Sequence, residues 1–417
     1  VSAADAGTAG DPLDHRSAFS QPRFRRYFPS TLMSTLGSWV LRFLFGWVAW
    51  EATHSAFWVG TVAALMLAPT FLLSPLFGIT ADRINPRNGL LVTVSLQGVT
   101  AALAALVEVS VGLSLAWLMA LALFFGAVTS AHTPIRLAML PRLVERQALP
   151  SAIGYSSIVF NSARIIGPAI GAWLLTLAPV PAVFAVSAVT MAAAALLLTR
   201  VRGVCAGSGR DHRASIADLL REGVRYAARH PSIRLVFLVT LASGMLGRTL
   251  IELLPAVSGK LLGGDSTTLA MLSAAAGAGS ILGGLLVSRQ GGRLDVLYRL
   301  VLAALTAAAL VLLTAAAWGD LVVMAAAVAL VAACTTTIGT GCQALTQLMV
   351  QEEFRGRVMS LWTVIAMGTP ALGAVVVGIV ADRASFPAAF AGTAVLALSA
   401  ALFARQRLNQ GAETGGQ

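Results

Sequence analysis

Charge is scarce in this chain of 417 residues: 11% of the side chains are charged against 57% hydrophobic, with a mean hydropathy of +0.81. So little polar surface cannot coat a soluble globule of this size, which excludes a water-soluble enzyme. Lysine is almost missing: of 29 basic residues, all but Lys260 are arginine. They fall in short clusters between apolar runs, so the net charge of +11 does not point to nucleic acid. The three cysteines, Cys205, Cys334 and Cys342, lack metal-ligand spacing, and the latter two lie in an apolar run, which argues against disulfides and zinc. No Walker loop, metal motif or nucleophile with an evident base occurs, so neither ATP-driven transport nor hydrolysis has a motif to rest on, and no cofactor is expected. Gly277, Gly279 and Gly283 imitate a dinucleotide fingerprint, but the spacing is wrong and no strand precedes them; they read as helix-packing glycines. The first 29 residues lack the apolar core and cleavage site of a secretory signal, so the amino terminus is expected to stay in the cytoplasm.

What the chain does have is a series of apolar runs, each long enough to cross about 30 Å of hydrocarbon as a helix. Twelve are predicted, near 30–50, 57–80, 89–108, 114–138, 149–176 and 182–199, then 235–257, 268–288, 297–317, 320–345, 357–380 and 387–404. The expected organisation is a cytoplasmic tail (1–29), a six-helix half (30–199), a cytoplasmic linker (200–234), a second six-helix half (235–404) and a second cytoplasmic tail (405–417). With both termini inside, 24 basic residues fall on the cytoplasmic side or at the cytoplasmic ends of spans, only Lys260 and Arg383 outside, and Arg42, Arg164 and Arg248 deeper within spans. This is the asymmetry that arginine-rich short loops impose on topology.

The linker carries eight arginines and a predicted helix from Ser215 to His230, closed by Pro231. Its apolar positions Ile216, Leu219, Leu220, Val224 and Ala227 share one face, while Arg221, Arg225 and Arg229 form a stripe at helical spacing. Beside a bilayer that stripe reads as resting on anionic headgroups; a solvated linker helix explains it equally.

The halves echo each other. Gly78, Arg83 and Arg87 match Gly284, Arg289 and Arg293, each shifted by 206, and Pro168, Gly171 and Ala172 match Pro370, Gly373 and Ala374, each shifted by 202. Two six-helix halves with a cavity between them are the architecture of a secondary transporter.

At this point the residues resemble the major facilitator superfamily over nearly the whole chain. Gly78, Asp82, Arg83 and Arg87 fit its signature between spans 2 and 3. Gly154, Ala163, Gly167, Pro168, Gly171 and Ala172 fit its span 5 antiporter motif, with alanine for glycine at 163 and 172. LPRLV at 140–144, NSARIIGP at 161–168, RTLIELLP at 248–255 and RGRVMSLW at 355–362 are similar to the enterobactin-exporter-like branch. The resemblance implies an all-α integral membrane protein that exports siderophores or drugs by proton antiport. That branch often has an acid in span 1 where this chain reads Gly37, Ser38, Trp39, so no coupling carboxylate is carried over there.

Several constellations are candidates for that chemistry. Arg248 and Glu252, four apart in span 7, read as a proton-coupling pair or as a structural ion pair. Trp39, Arg42 and Phe43 in span 1 suit an anionic or aromatic ligand, although Arg42 is equally able to pair with Glu252 across the halves. His132, Arg136 and Arg164 complete the expected cavity, with His132 as a relay or a simple hydrogen-bonding group. Gly78, Asp82, Arg83 and Arg87 are expected to form a cytoplasmic gate with Arg355 and Arg357. Gly154, Gly167, Pro168 and Gly171 are expected to form a tight seam or hinge; ordinary small-residue packing gives the same pattern. The string GIVADR at 378–383 nearly repeats GITADR at 78–83 on the opposite side and receives no role here.

The reading is a monomeric, multi-pass protein of the bacterial inner membrane with both termini cytoplasmic. It exports a small organic molecule, a siderophore or related metabolite, by proton antiport, with membrane lipids as its surroundings. Multidrug efflux is the near alternative, and a transport-inactive sensor or scaffold the alternative of another class.

Overall fold

In the computed structural model, residues 17–203, 216–288, 294–315 and 320–414 are described. The side chains of Gly78, Asp82, Arg83 and Arg355 lie outside the described residues, as does Ser215. Among the described residues every regular element is a helix. Lipid supplies no hydrogen-bond partners to the backbone, and only a helix satisfies each N–H and C=O within its own segment.

The first six bundle helices are α1 (Pro22–Thr53), α2 (Ala56–Arg83), α3 (Pro86–Ser110), α4 (Leu115–Met139), α5 (Leu149–Leu177) and α6 (Val180–Thr199). A linker helix, α7 (Ile216–Arg229), follows. The seventh crossing is broken into α8 (Pro231–Ser243), a π-helical turn at Gly244–Arg248, α9 (Thr249–Glu252), α10 (Leu254–Ala256) and a second π-helical turn at Val257–Leu261. The remaining helices are α11 (Ser266–Ser288), α12 (Leu294–Ala315), α13 (Leu321–Met349), α14 (Glu352–Arg383) and α15 (Phe386–Thr414). Eleven of the described segments are long and apolar enough to cross a bilayer, and α2, with 28 residues, packs among them as the twelfth.

Local chemistry sets the ends. Asn85 accepts from the Arg87 N–H at 3.0 Å ahead of Pro86, the first residue of α3, and Asp320 accepts from the Val322 and Val323 N–H groups to start α13. At the start of α11, Asp265 accepts from the backbone of Thr268 and Thr267, which holds its carboxyl below the usual carboxylate range. The two-residue reversal between α1 and α2 places His54 in the left-handed region, at φ 47°, with its N–H donating to the Trp50 carbonyl at 2.7 Å.

Packing relies on small residues, because leucine against leucine gains little over leucine against lipid. Gly279 and Gly283 of α11 face the Ala329 and Ala333 carbonyls of α13, and Gly126 of α4 faces the Met66 and Leu65 carbonyls of α2. The first group packs as α2 on α4, α3 on α6 and α1 on α5 and α6; the second as α11 on α13 and α12 on α13 and α15. The two groups meet along α2 with α14 and α5 with α11. Large apolar side chains such as Leu72, Val109, Val189 and Leu372 are exposed, the surface a lipid-embedded bundle presents.

We call the end of the bundle where α1 begins and α15 finishes the terminal side, and the opposite end the distal side. On the terminal side, α7 docks on the start of α14: Tyr226 stacks on Phe354 and His230, and Glu222 pairs with Arg357 at 2.6 Å. The buried face is Gly223, Tyr226 and Ala227, whereas Val224, expected on the apolar face, is 53% exposed. Tyr226 displaces it because a stacked aromatic buries more apolar area than a valine. The Arg221, Arg225 and Arg229 stripe is exposed, as expected.

Candidate transport cavity

A cavity of about 490 Å3 lies between the two groups of helices, from mid-bundle toward the terminal side. Its wall near the middle is built by α1. One helical turn separates Trp39 from Phe43, and Arg42 stands beside them with its guanidinium carbon 5.4 Å from the Trp39 ring centroid. Arg42 donates from Nη2 to Glu252 Oε1 at 3.0 Å, an ion pair joining α1 to α9 with both side chains mostly buried.

The π-helical turn explains how α9 reaches the cavity. Gly244 lies against Thr369 and Pro370 of α14, and Gly247 lies against Thr335 of α13, so the backbone approaches two helices where a Cβ would collide. An extra residue in the turn accommodates that approach, as π-bulges commonly do at functional positions. Arg248 and Glu252 both line the cavity beyond it. They are close enough to interact electrostatically, but the hydrogen bond that Glu252 accepts comes from Arg42. Of the two pairings open to Glu252 in the sequence, the one across the helices is formed.

Arg164 of α5 and Arg248 also line the cavity and sense each other's charge. Among the described residues neither makes a hydrogen bond or an ion pair. Arg136 donates to Ser156 Oγ at 2.7 Å and sits over the Phe160 ring at 5.3 Å. Phe160 in turn meets Trp39 edge-on, with centroids 5.8 Å apart. Ser156, Phe160 and Trp362 were not singled out from sequence; a serine or an aromatic in an apolar run carries no signal of its own.

Not every expected residue joins this site. His132 is absent from the wall; its Nδ1 lies 3.0 Å from Thr93 Oγ1 of α3, the simple hydrogen-bonding alternative. Arg87 donates to the Leu198 and Thr199 carbonyls at 3.3 and 2.8 Å, which caps the end of α6 within the first group of helices. Arg357 is engaged by Glu222 of α7. In the α5 motif, Gly167 and Gly171 do form a seam: a Cβ at Gly167 would stand 2.5 Å from Trp39 Cβ, and one at Gly171 2.6 Å from Phe43 Cδ1. Pro168 lines the cavity, but Gly154 is exposed with nothing among the described residues within 4 Å of a Cβ, so it lies outside the seam.

The distal side is closed by the string that received no role. Asp382 Oδ1 accepts from the Ala56 N–H at 3.1 Å, and Oδ2 from the Phe57 N–H at 2.9 Å and Ser55 Oγ at 2.5 Å. Lys260 donates to Asp382 Oδ1 at 2.7 Å and to the Ala381 carbonyl at 2.9 Å. A carboxylate at the end of α14 thus caps the first turn of α2, where unpaired N–H groups and the helix dipole favour negative charge. Gly60 and Gly378 let the backbones close on the Ala374 and Ala56 carbonyls.

A twelve-helix bundle with a cavity between two six-helix groups invites comparison with known transporters. The profile of the major facilitator family described as transmembrane secretion effector matches residues 15–415. The chain belongs to this family. It is a family of membrane transporters and not of enzymes. The chain is 28% identical over 241 residues to the staphyloferrin A transporter of Staphylococcus aureus, across 58% of this chain and 60% of that protein. The chain therefore spans about 60% of that relative's length. It is 22% identical over 371 residues to macrolide efflux protein A of Streptococcus pyogenes, across 87% of this chain and 90% of that one. Among solved structures, a mutant of the nucleoside transporter NupG superposes with a TM-score of 0.72 at 12% identity, covering 92% of this chain and 99% of that one. A bacterial homologue of the lysosomal transporter Spinster, inward-facing, superposes with a TM-score of 0.70 at 16% identity, covering 95% and 97%. These likenesses share the fold, which is the all-α membrane architecture expected from the sequence.

Proposed function

We propose that this multi-pass membrane protein exports a small organic molecule, a siderophore or related metabolite, by proton antiport across the bacterial inner membrane. The observation that carries the reading is the Arg42–Glu252 pair on the cavity wall. A buried carboxylate that holds a cation from the opposing helices ties protonation to geometry: adding a proton removes the charge and releases Arg42. The distribution of arginine assigns the terminal side to the cytoplasm, so both termini are cytoplasmic and the cavity described is open toward the interior. Cargo enters there, and the proton reaches Glu252 from outside when the distal side opens. The two relatives named above support export of small molecules, one bearing the name of a siderophore and the other of a drug class. Macrolide-like efflux is the second reading, favoured by the aromatic wall of Trp39, Phe43, Phe160 and Trp362. A transport-inactive scaffold has no use for buried arginines and a buried glutamate, which leucine would replace at a gain. The chain is read as working as a monomer.

Gating follows from the matched strings. GIVADR ends α14 on the distal side and caps α2, while GITADR ends α2 on the terminal side, where α14 begins. Asp82 is therefore assigned the counterpart role, closing the cytoplasmic side near Arg355 and Arg357 when the distal side is open.

The test is transport by purified protein in vesicles with an imposed pH gradient and a lumenal pH dye. Staphyloferrin A and a macrolide are offered in turn on the terminal side. Wild-type protein should move protons only when cargo is present. Glu252→Gln should bind cargo but show no coupled proton movement; wild-type coupling in that variant would remove Glu252 from the mechanism.

A further inference from the structure

The cavity holds more positive charge than the proposed coupling uses. Among its described lining residues are four guanidinium groups, from Arg42, Arg136, Arg164 and Arg248, and one carboxylate, from Glu252. Three positive charges are left over. Arg42 and Glu252 satisfy each other, and Arg136 is held by Ser156 and the face of Phe160. Arg164 and Arg248 have no described partner, although each offers a planar fork of five donors. An unpaired arginine deep in a membrane protein is expensive, and two that repel each other are more so. Such groups persist where something else supplies the negative charge. Trp362, also on the wall, carries a buried Nε1 with no partner among the described residues, a further donor awaiting an acceptor.

We propose that the cargo is a polyanion: a small organic acid with at least two carboxylate-type groups, one held by Arg164 and one by Arg248. The assignment rests on the export reading only in naming the cavity as the cargo site. Guanidinium is the side chain that matches carboxylate geometry bidentately, and Arg164 and Arg248 belong to different groups of helices. A monoacid satisfies one group and leaves the other charge bare, whereas a diacid bridges both and ties binding to their relative position. The rings of Trp39, Phe43 and Phe160, which line the same cavity, suit a carbon-rich body. A cationic drug meets the same surplus as repulsion.

Binding at fixed pH, with no gradient, tests this separately from proton coupling. The purified protein is titrated by calorimetry with benzene-1,3,5-tricarboxylate, propane-1,2,3-tricarboxylate, benzoate and the trimethyl ester of the first acid. At least one tricarboxylate should bind, and benzoate and the ester should bind more weakly by about tenfold or more, as expected for loss of a bidentate charged contact. Arg164→Gln and Arg248→Gln should each weaken tricarboxylate binding by a similar factor, while Arg299→Gln, an exposed residue paired with Asp295 on α12, should not. Removing an unpaired buried cation should raise the melting temperature of the anion-free protein, so both variants should fold. Equal affinity for acid and ester, failure of both tricarboxylates to bind, or wild-type binding in both arginine variants would overturn the proposal. Any of these outcomes leaves the proton-antiport reading intact, and loss of coupling in Glu252→Gln leaves this one intact.

Discussion

Gly247 has no side chain, and Thr335 of α13 fills the space where one would stand. That contact keeps α13 close to the π-helical turn and so helps set where Arg248 and Glu252 emerge. Gly247→Ala should destabilise the protein by about 1–3 kcal/mol, the usual cost of inserting a methyl into a packed interior. Thr335→Ala removes the obstructing hydroxyl, so the double variant should recover part of the loss, and thermal unfolding of all four proteins in detergent measures the coupling. Strict additivity would mean that this contact does not shape the turn. The residue scale is also where sequence reading met its limit. Arg42 and Glu252 were legible as costly charges within apolar runs. Their pairing was left open, because it depends on how two helices 210 residues apart cross. His132 was legible only as a lone polar group, and which neighbour it faces is a matter of helix rotation that one amphipathic pattern does not fix.

Helix positions were far more legible, since hydrocarbon thickness dictates length and prolines and asparagines mark the starts. The break in the seventh crossing was not, because Gly244 and Gly247 look like any small residues in a membrane helix. The distal latch was hidden differently: its string was noticed, but a six-residue repeat has no meaning until α2 and α14 are placed side by side. If Asp382 holds those helices together, Asp382→Asn and Lys260→Met should each favour opening of the distal side. The expected bias is about 1–2 kcal/mol, a population change of roughly 5- to 30-fold. Cysteines placed on the distal half of the cavity should then label faster, and those near Gln343 and Thr363 on the terminal half more slowly. Asp82→Asn should shift labelling the opposite way. Substitutions at 82 and 382 that move labelling in the same direction would sink the idea of two opposed latches.

At the scale of the whole molecule, the distribution of arginine outside the cavity and its concentration inside answer to the same membrane potential. The first is the basis of the proposed orientation of the bundle. A reporter joined after residue 230 should behave as cytoplasmic and one near Lys260 as external; agreement of both on one side would mean a wrong span count. The second concerns energy. A dianion or trianion leaving a negatively charged interior moves down the electrical gradient, and so does a proton entering it, so the two contributions add. Each elementary charge is worth about 2.3 kcal/mol per 100 mV. Export of a dianion against one proton moves three charges, or about 7 kcal/mol per 100 mV, enough to sustain a concentration ratio on the order of 10^5. Voltage alone should therefore drive transport even with no pH difference. Vesicles loaded with the tightest-binding tricarboxylate and given a valinomycin-set potassium potential should release it faster when the terminal-side compartment is negative and more slowly when the sign is reversed. Indifference to voltage would mean that the acid crosses with its charges neutralised by co-moving protons, and that the arginines recognise an anion whose charge they do not carry across the membrane.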